Sequence, residues 1–298
     1  MATDTEDLNL YFYNPSTALA VVFSVLYFLL TLYHFHISIL YARKQPIKHR
    51  YTIPLFVAAL ISTAGWSVRI ASIKNKSSIP LYATSASYVV ISPIFVCATL
   101  YLLLTRLIRS SLPEGPAQVF FHIPPRWLGR MFITSDIFSF LTQCSGSGIA
   151  SSGNWEGNLK DVGTNVLLVG LALQLATFST FLLVLGRVVR RVDRSRDIGF
   201  DPRVKKVILG VWIAGFFVQT RSIYRVVEFG LGIDGYPFRN EWCLYVLEAA
   251  PMFIAIAVLG WYSPVKLMQQ KAQTEITMER TGITGRGKTV ATSERGTV

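Results

Sequence analysis

The sequence predicts an all-α, polytopic membrane protein with seven transmembrane helices, its N-terminus outside the membrane and its C-terminus in the cytosol. Three observations predict it. Of 298 residues, 51% are hydrophobic and only 15% are charged, where a soluble domain carries about 25%. The apolar residues gather in runs longer than about 18 residues, enough for a helix to cross hydrocarbon. The 29 Lys and Arg residues are also sorted: 22 lie on one side of the alternating runs, four on the other, and three within runs. The basic side faces the cytosol. The net charge of +12 thus suits a protein facing anionic lipid rather than nucleic acid.

The first span covers residues 16–41, with Pro15 before it and Arg43-Lys44 after it. Residues 1–13 are acidic and lack a basic segment, so no cleavable signal peptide is expected and the first run serves as an uncleaved anchor. The second span covers residues 53–73, with Pro54 in its first turn, where a missing N–H costs nothing. The third covers residues 81–107 and the fourth residues 128–150. The fifth covers residues 162–185, the sixth 204–229 and the seventh 241–262. Pro93 and Pro251 fall inside the third and seventh and each removes a backbone hydrogen bond, which predicts kinks.

Three divisions follow: an extracytoplasmic segment 1–15, a transmembrane domain 16–264, and a cytosolic tail 265–298. The tail is rich in Thr, Gly and charged residues and reads as disordered. Cys97, Cys144 and Cys243 sit in or beside apolar runs and are expected as free thiols. Asn75-Lys76-Ser77 is a glycosylation sequon on the outer side, a weak signal because such tripeptides are common.

Ionisable residues within spans mark functional positions, because each needs a partner or a watery cavity. Arg221 and Arg225 share a helix face, with Glu228 three residues beyond Arg225. Arg221 lies roughly 12 Å from the outer end of its span and Glu248 roughly 11 Å from the outer end of the next. Consecutive spans pack antiparallel, so the matched depths pair Arg221 with Glu248. Arg225 and Glu228 pair within their own helix. Arg69 lies near the outer end of its span and is expected to snorkel. Asp136 has no basic residue at its depth, so it is either protonated or bonded to Ser139, Gln143 or another helix. Gln174 and Gln219 are expected as interhelical contacts, and Ser145-Gly146-Ser147-Gly148 as a site of close helix approach.

Two readings of these polar groups stand side by side: pairs that fix helix register, or a polar cavity for a lipid headgroup or cationic amine. Catalysis has little support. The four histidines are scattered, which argues against a zinc hydrolase or a Ser-His-acid site and leaves a membrane enzyme as the third reading. No P-loop or dinucleotide fingerprint is present, and no cofactor or metal is expected.

The residues Ile123-Pro124-Pro125-Arg126-Trp127 lead into Phe132, Asp136, Ser139-Phe140, Gln143 and Gly146. Further on come Arg221-Ser222-Ile223-Tyr224-Arg225-Val226-Val227-Glu228, Gly232, Asp234-Gly235, Glu241-Trp242, Tyr245 and Glu248. Together these resemble the fungal RTA-like proteins, the lipid-translocating exporter family. The resemblance runs from Tyr11 to about Pro264. It implies a fungal source, seven helices, and an association with sphingoid long-chain base release, resistance to amphiphilic toxicants or porphyrin movement. It marks Asp136, Gln143, Arg221, Arg225, Glu228, Glu241 and Glu248 as cavity or helix-fixing residues. Position 248 is often Asp in that family, so Glu248 is a conservative departure.

The resulting expectation is a non-enzymatic protein of a fungal plasma membrane that moves, or regulates movement of, amphiphilic lipids or lipophilic toxicants. Glu228, Glu241 and Glu248 would receive an ammonium head near the outer leaflet, with Glu241 the least committed of the three. The alternative is a seven-helix receptor-like sensor signalling through basic cytosolic loops. Against it, no acidic-Arg-aromatic motif ends the third span and no Asn-Pro-x-x-Tyr lies in the seventh.

Overall fold

The computed structural model describes residues 11, 13–41, 52–111, 125–152, 157–194, 202–232 and 235–262. The expected tail 265–298 lies outside these residues, as does most of the segment 1–15.

Helix α1 (Thr17–Phe35) starts at Ser16, whose side chain caps it by accepting the Leu19 N–H, and continues into a π turn, His36–Tyr41. Then come α2 (Thr52–Lys74), α3 (Ile79–Ser111), α4 (Pro125–Ser152), α5 (Gly157–Arg194) and α6 (Pro202–Gly230). A single turn, α7 (Tyr236–Arg239), leads to α8 (Glu241–Trp261). Helices α3, α5 and α6 overrun the expected spans where their ends carry Arg and Lys, because hydropathy ends where charge begins while the backbone bonding continues. No strand occurs among the described residues.

Among the described residues, six helices are long and apolar enough to cross a membrane: α1, α2, α3, α5, α6 and α8. The expected fourth span, α4, is 28 residues long, or about 42 Å at 1.5 Å per residue. It falls short in apolarity, because Ser135, Asp136, Ser139, Thr142, Gln143, Ser145 and Ser147 interrupt it. Its exposed residues nonetheless include the large apolar side chains Trp127, Met131, Ile137, Phe138 and Leu141.

Each long helix packs against its chain neighbours, and α8 returns against both α6 and α1 to close the ring. Helix α3 also touches α5, α6 and α8 and so occupies the centre. The exterior is apolar, with Val22, Phe28, Val169, Leu183, Phe216 and Val246 exposed, whereas Arg69, Asp136, Gln143, Arg221 and Glu248 are buried. This inversion suits a lipid environment, where a polar side chain faces the bundle interior.

Helices α4 and α5 approach most closely. A Cβ added at Gly146 would meet Leu167 N at 2.5 Å, and one at Gly163 would meet Ala150 N at 2.5 Å. Small residues permit this backbone contact. Gly146 thus fulfils the expected role, while Gly148 faces open space.

The kink expected at Pro251 takes a more specific form. Residues Leu244–Ala249 form a π segment just before it, with Ala250 N–H donating to Tyr245 O. Pro251 has no N–H, so the regular ladder cannot pass through it, and the preceding backbone shifts to i→i−5 bonding. Glu248 lies within this widened turn.

Candidate functional site

The polar groups form three sets inside the bundle. The largest joins α6, α8 and α3. Arg221 and Glu248 come from consecutive long helices, and Arg221 Nη2 donates to Glu248 Oε1 at 2.8 Å. The same nitrogen reaches the Val89 carbonyl of α3 at 3.3 Å. Arg225, one turn along α6, donates to Glu228 Oε2 at 2.8 Å and lies 3.5 Å from Glu248 Oε2. Tyr224 O–H donates to the other Glu228 oxygen at 2.9 Å, and Phe229 stacks beneath Arg225 at 4.7 Å. Glu248 is therefore shared by two guanidinium groups. Its surroundings are closed: Glu248 is 1% exposed and Arg221 4%.

The second set lies where α1 and α8 begin. Arg69 does not snorkel: it is buried, and its Nη2 donates to Tyr13 Oη at 2.6 Å. Tyr11 and Trp66 flank its guanidinium at 5.4 and 5.8 Å, so aromatic faces rather than water solvate the cation. Tyr11 O–H bonds Ser72 at 2.8 Å. Burial pushes the half-buried Tyr13 phenol up to about 12, against the opposing pull of Arg69. Glu241 is not the least committed acid either. It accepts the Ser16 N–H at 2.7 Å and the Tyr245 O–H at 3.2 Å, with Arg69 at 3.9 Å. Tyr11, Tyr13 and Ser16 thus tie the start of α1 across this end of the bundle. Beneath them, Phe23 and Trp66 each stack on Tyr245 at 5.3 Å.

The third set lies between α3, α4 and α5. Asp136 Oδ2 accepts the Tyr101 O–H at 2.8 Å, so its partner is on another helix rather than Ser139 or Gln143. Ser139 bonds the Gly170 carbonyl instead, and Gln143 donates to Gln174 at 3.1 Å. Gln219 donates to Ser179. These amides tie α4 to α5 and α5 to α6, as expected.

The structure therefore gathers Arg221, Arg225, Glu228 and Glu248 into one cluster and places Glu241 with Arg69. Asp136 and Gln143 stand apart, joined to neither set by any hydrogen bond or ion pair. Sequence reasoning missed Tyr101, Tyr13 and Tyr224 as partners of buried charges. Among the described residues, five buried side-chain polar atoms lack a hydrogen-bond partner: Arg69 Nε, Asp136 Oδ1, Gln219 Oε1, Arg221 Nε and Glu248 Oε2. Asn75 is exposed in the turn after α2. The three cysteines are free, and no cluster able to hold a metal occurs among the described residues.

The chain is similar to several fungal proteins. It is 26% identical to protoporphyrin uptake protein 1 of Saccharomyces cerevisiae, covering 86% of this chain and 92% of that protein. It is 26% identical to the probable lipid transporter atnI of Emericella nidulans, covering 87% and 68%. Its identity to the sphingoid long-chain base transporter RSB1 of Saccharomyces cerevisiae is 24%, covering 73% and 65%. No solved structure matches. The family model described as RTA1 like protein matches residues 55–271, well over half of the sequence. An all-helical chain with apolar membrane-length helices, related to lipid transporters and matched over that range, belongs to the RTA1-like family.

Proposed function

We propose that this protein translocates amphiphilic lipids of the sphingoid long-chain base type, together with lipophilic toxicants, across a fungal plasma membrane. The relatives named as lipid and sphingoid base transporters support transport at the level of the family. The observation that carries the reading is the set of buried polar atoms without hydrogen-bond partners, among which Asp136 Oδ1 also faces no arginine, inside a bundle whose outer surface is apolar. Such atoms are costly to maintain. They offer a polar headgroup hydrogen bonds that the resting protein does not use, while the apolar flank accommodates a tail.

In this reading α4 also spans the membrane and brings the spans to seven, with its large apolar side chains toward lipid and its buried polar groups toward α3 and α5. The N-terminus is outside and the C-terminus cytosolic, following the Lys and Arg distribution. The protein acts by binding and movement, not by covalent chemistry. A receptor-like sensor is the second reading, favoured by the basic residues between spans.

The test is purified protein in vesicles with labelled sphingosine. Flux above that of protein-free vesicles is expected. Absence of flux, combined with sphingosine-dependent nucleotide exchange on an added G protein, would replace the transport reading with the sensor reading.

A further inference from the structure

The interior and rim of the described bundle hold four acids and three arginines. Arg69 faces Glu241, Arg221 faces Glu248, and Arg225 faces Glu228. Asp136 is the acid left over. It is 1% exposed, makes no ion pair, and its Oδ1 has no hydrogen-bond partner. The ionisable groups near it come from α3: Tyr101, which donates to Oδ2, and Cys97, one turn before Tyr101, which interacts electrostatically with both Asp136 and Arg221. Helix α5, packed on the other side of α4, has no ionisable side chain between Asp161 and Arg187. On α6, Arg221 is already taken by Glu248. The buried His34 lies between α1 and α8, bonded to the Ile256 carbonyl at 3.2 Å. The aromatic rings of Phe132 and Phe181 pack on Tyr101 at 5.1 and 4.9 Å, and among the described residues Asp136 belongs to no group of His, Cys, Asp and Glu able to hold a metal ion.

A carboxylate in such a place is unstable until a positive charge joins it. Two candidates carry one charge and fit a single oxygen. A proton on Oδ1 neutralises the group. An alkylammonium head, with three N–H donors and no acceptor, neutralises it and satisfies Oδ1 as well. The three glutamates cannot offer this, because each already faces an arginine.

We propose that Asp136 is a shared site for a proton and for the ammonium head of a cationic amphiphile, and that their exchange couples lipid movement to the proton gradient. The inference rests on the transport reading above. Binding replaces one charge with the other: the carboxylic acid loses its proton to water as the ammonium arrives, and regains one as it leaves. Because the bare carboxylate is disfavoured, the site returns across the membrane only when loaded with one or the other, and that restriction is the coupling.

The tail has a place on the flank of the same helix. Trp127, Arg130, Met131, Thr134, Ser135 and Phe138 line an open groove of about 420 Å³. It runs along roughly 16 Å of α4. Ser135, next to Asp136, bonds Thr177 of α5 at 2.8 Å, which places the groove beside the α4–α5 seam. The glycine contacts hold α4 and α5 together, so admission of a head requires the pair to separate from α3 as a unit, breaking the Tyr101–Asp136 bond.

The experiment compares wild type with Asp136→Asn and Asp136→Glu. In weakly buffered detergent solution, sphingosine should release a proton from wild type on binding and none from Asp136→Asn. The infrared carbonyl band of a protonated acid should be present in unliganded wild type and absent in Asp136→Asn. In vesicles with an imposed pH gradient, wild type should accumulate sphingosine but show no gradient response with its uncharged N-acetyl analogue. Asp136→Asn should fall to the level of protein-free vesicles for gradient-driven accumulation, and Asp136→Glu should restore part of it.

Sphingosine binding without proton release, or undiminished accumulation by Asp136→Asn, overturns the proposal. Wild type that moves no sphingosine refutes the transport reading instead, and the proton-release and infrared measurements then decide the Asp136 site alone.

Discussion

Glu248 faces two guanidinium groups, which makes the Arg221–Glu248 pair unequal in its two halves. Its Oε1 lies 2.8 Å from Arg221 and its Oε2 lies 3.5 Å from Arg225. Arg221→Leu leaves Glu248 with Arg225 still in reach. Glu248→Leu leaves two arginines with Glu228 as their remaining acid. Breaking a buried pair costs about 3–5 kcal/mol. We expect Glu248→Leu near the upper end of that range and Arg221→Leu near the lower end. The double substitution leaves Arg225 and Glu228, one charge of each sign and 2.8 Å apart, so it should recover much of the loss. Its cost should fall short of the summed single costs by about 2 kcal/mol, within the range for residues in direct contact. Unfolding free energies from denaturing-detergent titration in mixed micelles provide the measurement. Additive single and double costs would refute the partnership. Equal costs for the two single substitutions would refute the sharing of Glu248 with Arg225.

Three further outcomes follow from the geometry. Gly163→Ala places a Cβ 2.5 Å from the Ala150 nitrogen and should cost about 1–3 kcal/mol, whereas Gly148→Ala meets nothing within 4 Å and should stay within about 0.5 kcal/mol; melting in detergent compares them. Glu241→Ala removes the acceptor for the Ser16 N–H and the counter-charge of Arg69, so amide exchange should accelerate over residues 16–20 and remain unchanged in α5. A C-terminal tag should be protected from protease on intact cells and cleaved after permeabilisation; cleavage on intact cells would reverse the topology.

Arg221 with Glu248 was legible in the sequence because two consecutive runs joined by a short connection place the residues at matching distances from it, and that distance is arithmetic once the runs are found. Arg225 with Glu228 follows from helical spacing. The tie over Arg69 was not legible. Tyr11, Tyr13 and Ser16 precede the first helix, where no periodicity constrains them, and their partners lie 61, 56 and 225 residues away. Tyr101 was missed for another reason: a tyrosine within an apolar run reads as core packing, which it also provides against Phe132 and Phe181. The polarity of α4 had the opposite effect. The serines and glycines that let it pack closely on α5 also lower its apolarity, so the features that make it a good interior helix weaken its signal as a span.

Counting charges in three dimensions also changes which acid matters. From sequence, Glu228, Glu241 and Glu248 form an acidic group open to a cationic head. In the fold each is met by an arginine, and Tyr224, Tyr245 and the Ser16 N–H occupy further acceptor positions. A cation arriving there would have to displace a guanidinium held in a low-dielectric interior, a poor exchange for a single ammonium. At Asp136 only a neutral phenol has to give way: one oxygen accepts the Tyr101 O–H and the other has no hydrogen-bond partner. In the proposed exchange, specificity for a charged amphiphile would come from Asp136, the acid that faces no arginine, rather than from the three glutamates already paired with arginines.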